Sequence, residues 1–182
     1  MAIRLFLAHG YDAVTVERIA AECGVGRATF FRYFATKADV VFFAFDAVLE
    51  TMREGLGQAP ARRPPNQVVA DCVIESTRRA LANPVWLDRF VLLDTAPGLR
   101  AGTAEHWASW TAQIRAYLDH RLDPERADAS LRNAAFAGAV TEAYVESFRR
   151  PGVRQDDPEG FIADLEAWLR PLCRSAAAML RP

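Results

Sequence analysis

The stretch 15–37, TVERIAAECGVGRATFFRYFATK, constrains the fold more than any other part of the chain. Val16, Ile19 and Ala20 recur at helical spacing behind Thr15, a good N-cap residue, which predicts a two-turn helix over 16–23. Gly24-Val25-Gly26 breaks that pattern with a tight turn, and the period resumes over 27–34. Two short helices joined by a three-residue, glycine-containing turn form the helix-turn-helix pattern.

The second of these helices is the candidate reader of nucleic acid. Phe30 and Phe34 are four residues apart and share one face, suited to packing on Ile19, Ala20 and Val25. Ala28 and Arg32 fall on the opposite side, flanked by Thr29 and Phe31, so the outer face carries no acidic residue. Such a face suits a polyanion. Arg27 and Arg32 are the best base or phosphate readers, because a guanidinium pairs bidentately with guanine for about 1–3 kcal/mol of discrimination. Thr29 suits a thymine methyl or a base edge, and Ala28 leaves room for close approach.

The run GYDAVTVERIAAECGVGRATFFRYFATKADV closely resembles the N-terminal domain of the TetR (tetracycline-repressor) family of bacterial transcription regulators. Gly10, Thr15, Ile19, Ala20, Gly24, Val25, Phe34 and Lys37 stand at the family spacing. The resemblance implies a phosphate contact for the Thr15 hydroxyl and a DNA-backbone clamp for Lys37. It places Phe31 and Tyr33 at aromatic positions of the motif. Tyrosine is commoner at the first, so Phe31 is expected to make an apolar contact or none. Gly26 stands where the family usually has Ser or Thr, which weakens the helix cap by a few tenths of a kcal/mol. The helix expected over 1–9 is short: the resemblance implies a start about two turns earlier, after a basic arm, so the chain is expected either to begin upstream or to be shortened here.

Charge is distributed in agreement with this reading. Residues 1–37 carry a balance of +2, and since the whole chain sums to −1, the remainder sums to −3. A net charge near zero argues against a general nucleic-acid coat. Cys23, Cys72 and Cys173 are scattered and odd in number, which suits a reducing cytoplasm and offers no metal site. No run approaches a membrane span and no signal peptide is apparent, so a soluble, cytoplasmic protein without membrane attachment is expected. His9, His106 and His120 lack partners at ligand or catalytic spacing, and no nucleophile motif or phosphate loop occurs. Neither an enzyme nor a cofactor is expected.

The remaining chain reads as helices over about 37–54, 66–82, 84–96, 103–122, 124–150 and 158–180, giving an all-α protein of about nine helices. The first three form a helix-turn-helix domain over 1–45; an effector-binding and dimerisation domain follows over 46–182. Pro171 is expected to kink or split the last helix. Trp86, Phe90, Trp107 and Trp110 read equally as core and as lining of the apolar effector pocket that the resemblance implies, with Asp88, Asp94, His106 and Gln113 as nearby polar groups. Leu131, Ala134, Ala135, Gly138, Thr141, Val145 and Phe148, with the stripe through Trp168, are expected to form a four-helix homodimer interface. The expected function is a homodimeric regulator, a repressor, that binds a near-palindromic double-stranded operator and is released by a small-molecule effector. The alternative is a ligand-binding or interaction protein of the same fold that has lost operator binding.

Overall fold

Apolar residues recurring every three or four positions build nine α-helices in a computed structural model, which describes residues 1–122, 128–150 and 157–176. They are α1 (Ala2–His9), α2 (Val16–Glu22), α3 (Arg27–Tyr33), α4 (Asp39–Gly57), α5 (Pro65–Leu81), α6 (Trp86–Thr95), α7 (Arg100–Arg121), α8 (Ala129–Arg149) and α9 (Pro158–Ser175). A single 3-10 turn, Pro97–Leu99, leads directly into α7, which starts three residues before the predicted position. The described residues form no strand.

Local chemistry sets the boundaries. Thr15 caps α2 by accepting from the Arg18 amide at 3.2 Å. Gly10 and Gly24 end α1 and α2 at φ +83° and +67°, a region that favours glycine. Ahead of α4, the Asp39 carboxylate accepts from the Thr36 amide (2.9 Å) and hydroxyl (2.7 Å), and the Asp39 amide donates back to Thr36 Oγ1 at 3.3 Å. Residues 36–38 are thus held as a turn, and α4 begins two residues later than predicted. Asn83 accepts from the Val85 amide, so residues 84 and 85 belong to a turn and α6 starts at Trp86. α9 runs through Pro171 without splitting. The expected start of α8 at 123–127 and the expected end of α9 at 177–180 lie outside the described residues.

α4 is the structural axis. Val41, Phe45, Val48, Met52 and Leu56 recur along one stripe, all buried, and pack against α5 and α7. α5 lies on α9, α7 on α8, and α8 on α9, which closes the helical body. α1 seats the three-helix head on α4 and α6. Close approach beside it requires Gly98, where a Cβ would fall 3.0 Å from the Tyr11 ring and against the Asp12 carboxylate. The boundary expected at residue 45 falls within α4, and Phe45 itself is a core residue of the body.

The outward face of the last two helices differs from the expected list. Thr141 and Val145 are buried within the single chain, and the half-buried Phe148 stacks on Phe90 with ring centroids 3.6 Å apart. Leu131 and Ala135 do face outward, with Ala134 and Gly138 partly covered. On α9 the core takes Phe161, Ile162, Leu165, Leu169 and Cys173, leaving Trp168 and Leu172 half-buried at the edge. The displacement arises because α8 must also cover α7, where Thr141 meets Thr111 at 3.0 Å.

Candidate nucleic-acid interface

α2 and α3 hold their angle through a small apolar contact. Ile19, Ala20 and Phe30 are buried, and the rings of Phe30 and Phe34 lie 5.5 Å apart. Val25, expected in this contact, is instead 40% exposed. It sits in the turn, where its amide is used by the Ala20 carbonyl at 2.9 Å.

The opposite side of α3 is open. Arg27, Ala28, Phe31, Arg32 and Tyr33 are exposed and Thr29 is half-buried. Arg32 lies along Tyr33, with its guanidinium carbon 5.0 Å from the ring centroid. Gly26 occupies the N-cap position with extended backbone and makes no side-chain cap. A Cβ there would meet open space.

One acidic group intrudes where the sequence of α3 alone shows none. Glu17, in the first turn of α2, pairs with Arg27 at 3.1 Å. Its carboxyl is held below the usual range, chiefly by a hydrogen bond from its own amide and further by Arg27. Both side chains are more than half exposed, so the pair is weak and separable. Sequence reading missed it because the two residues belong to different helices.

Lys37 is placed differently from a freely extended clamp. Its Nζ donates to the carbonyls of Tyr11 (2.7 Å) and Val14 (2.9 Å) and lies 4.3 Å from the Tyr11 ring centroid. An ammonium has three donors, so two are used in fastening the 11–14 loop beneath the start of α4. Thr15 is exposed, with its hydroxyl oxygen serving the cap.

The interface connects to the body through α4. The Phe45 ring lies between Trp86 (4.6 Å), His106 (5.1 Å) and Phe90 (5.3 Å). Phe90, Trp107 and Trp110 pack into the same aromatic cluster, where Trp110 stacks on Tyr144 at 4.9 Å. Burial among these rings lowers the His106 pKa to about 4, so it is neutral at physiological pH. Three polar atoms of this cluster, Trp86 Nε1, His106 Nε2 and Trp110 Nε1, are buried without a partner, as are Arg89 Nε and Gln113 Oε1 elsewhere. Among the polar groups expected nearby, Asp94 is instead at the surface in a bidentate pair with Arg149.

Two cavities open beside α4. One, of about 590 Å³, lies at its C-terminal end and is lined by Leu56, Gln113, Tyr117 and Arg121 among others. The other, of about 290 Å³, is lined by α4, α5 and α6 and includes Trp86 and Arg89. Of the four aromatic residues expected at an effector pocket, Trp86 lines this second cavity. Arg89 escaped the sequence reading, since an arginine within WLDRFVLL reads as a surface charge.

Residues 1–42 match the family profile described as bacterial regulatory proteins, tetR family. The chain is 41% identical over 69 residues to the HTH-type transcriptional regulator TcmR of Streptomyces glaucescens, a match covering 38% of this chain and 30% of that protein. It is 24% identical over 168 residues to the protein assigned as the mycofactocin biosynthesis transcriptional regulator MftR of Mycobacterium tuberculosis, covering 91% of this chain and 85% of that one. Among solved structures, the fatty acid degradation regulator FadR of Bacillus halodurans superposes with a TM-score of 0.62 at 16% identity, over 99% of this chain and 96% of that one.

Proposed function

Because the chain belongs to the TetR family of transcriptional regulators and binds DNA through its helix-turn-helix, we propose that it acts as a homodimeric repressor whose operator affinity a small molecule reduces. The observation that carries this reading is the outward face of α3, where Arg27, Ala28, Arg32 and Tyr33 project from a helix fixed by Phe30. One such face contacts only a few base pairs. Two copies at about 34–36 Å spacing would read one turn of a near-palindromic operator. Leu131 and Ala135 on α8, together with Ala163, Ala167 and the half-buried Trp168 on α9, supply small and apolar groups for the dimer contact. Thr15 would contact phosphate, and Thr29 and Phe31 would contact base edges or methyls.

The effector would bind in the body (46–182) beside α4 and favour a head spacing unsuited to the operator, through its differential affinity for the two arrangements. The partnerless polar atoms around Phe45 support this, because a buried donor without an acceptor is costly unless something else satisfies it.

Fluorescence anisotropy of labelled DNA from upstream of the chain's own coding sequence, repeated at several salt concentrations, tests the proposal. Specific DNA is expected to bind far above random DNA and with a steep salt dependence. Arg32→Ala is expected to narrow that gap by about fivefold or more. The alternative, a ligand-binding protein that has lost operator binding, draws on the Glu17–Arg27 pair, which masks one reader. It requires one shallow salt slope and no specific excess on any DNA.

A further inference from the structure

The 290 Å³ cleft beside α4 holds a charge without a counterion. Its walls mix apolar side chains, Ala44, Ala47, Val48, Ala80 and Trp86, with polar ones, among them Arg79, whose charge is paired with Glu75. Arg89 stands one helical turn after Trp86 and lines the same cleft. Arg89 is only 9% exposed, and no ion pair reaches it among the described residues. Its Nη1 donates to the Val40 carbonyl at a long 3.3 Å, and its Nε has no partner. Trp86, 2% exposed, likewise leaves its Nε1 without an acceptor. By contrast, Arg149 and Arg170 each have carboxylate partners at Asp94 and Asp71.

A buried guanidinium without a carboxylate is among the least favourable arrangements in a protein interior. It cannot escape by losing its proton. A guanidinium without a carboxylate partner lining a cleft with apolar walls matches a ligand with an anionic, planar acceptor and a hydrocarbon body. The volume is at the low end for ligand pockets, which suits a single or fused ring, or a short chain.

Resting on the reading of the chain as an effector-responsive regulator, we propose that this cleft binds a small organic carboxylate. The carboxylate pairs with Arg89, and its apolar body lies along Ala44, Ala47, Val48 and Ala80. The site also has a route to the DNA-binding head. A carboxylate that draws on Arg89 competes with the Val40 carbonyl, which belongs to the first turn of α4. That turn begins at the Thr36–Asp39 pair, just behind α3.

The test uses the full chain and three probe acids, benzoate, hexanoate and 1-naphthoate, each beside its uncharged primary amide. Binding is read by tryptophan fluorescence and calorimetry. At least one acid is expected to bind about tenfold or more tighter than its amide. Arg89→Gln and Arg89→Met are expected to bring that ratio close to one, and Arg89→Lys to preserve part of it. Arg89→Met without ligand is also expected to melt higher than the parent, because the unpaired charge is removed. The proposal is overturned if no acid exceeds its amide, or if the preference survives in a folded Arg89→Met protein. Operator binding is measured separately. DNA binding without any acid preference refutes the ligand class alone, whereas acid binding without DNA binding refutes the regulator reading.

Discussion

Replacing Lys37 with Met distinguishes a structural fastener from a phosphate clamp. The substitution keeps a long side chain but removes hydrogen bonds to the Tyr11 and Val14 carbonyls and the contact with the Tyr11 ring. A hydrogen bond from a charged donor contributes about 1.5–3 kcal/mol, and the half-buried setting places both at the low end. Water can reach the released carbonyls in part, which offsets some of the loss. The cation–π contact adds about 0.5–1 kcal/mol. The expected cost is therefore roughly 2–4 kcal/mol, or about 4–16 °C of melting temperature for a chain of this length. Circular dichroism measures the melt, and anisotropy across a salt series measures DNA binding well below it. Loss of stability with a nearly unchanged salt slope is expected. The opposite result, unchanged melting and a slope flatter by about two per dimer, would mean that Lys37 leaves the loop for phosphate and would refute this reasoning.

Three further outcomes follow from the same geometry. Glu17→Gln frees Arg27 and is expected to tighten nonspecific and specific DNA alike by several-fold at low salt, an effect that shrinks as salt rises. Gly26→Ser fits the open space at the head of α3 and is expected to raise stability by about 0.5–1 kcal/mol, measured by urea denaturation. The His106 pKa is about 4 in the fold, below its ordinary value of 6.5, so the unfolded chain binds the extra proton first as pH falls. Stability is expected to decline from about pH 6.5 to about pH 4, by up to about 3 kcal/mol in all, and His106→Leu should remove that decline.

The helices and the outward face of α3 were legible because they depend on local pattern. Val41, Phe45, Val48 and Met52 announce α4 by their spacing, and Thr15 announces the start of the helix it caps. The α3 face could be drawn from Phe30 and Phe34 alone. What escaped depends on partners distant in sequence. Lys37 meets carbonyls 23 and 26 residues earlier, so its inward turn has no local sign. Glu17 reaches Arg27 only once the turn folds. Arg89 is buried because α6 is covered on several sides, and a charged residue in an apolar run gives no hint of that. The outward face of α8 was misjudged for a similar reason: α8 has apolar groups on two sides, and its sequence does not say which side α7 occupies.

The seat of α1 on both α4 and α6 bears on how such a chain can be recombined. A crossover at residue 45 would cut α4 beside the ring that fills the body's aromatic core, and would leave α1 without the α6 surface it rests on. A crossover after Gly57 keeps α4 whole yet still parts Tyr11 and Asp12 from Gly98. Chimeric regulators built by transplanting the DNA-reading helices onto a foreign body must therefore carry α6 and the Gly98 turn with them.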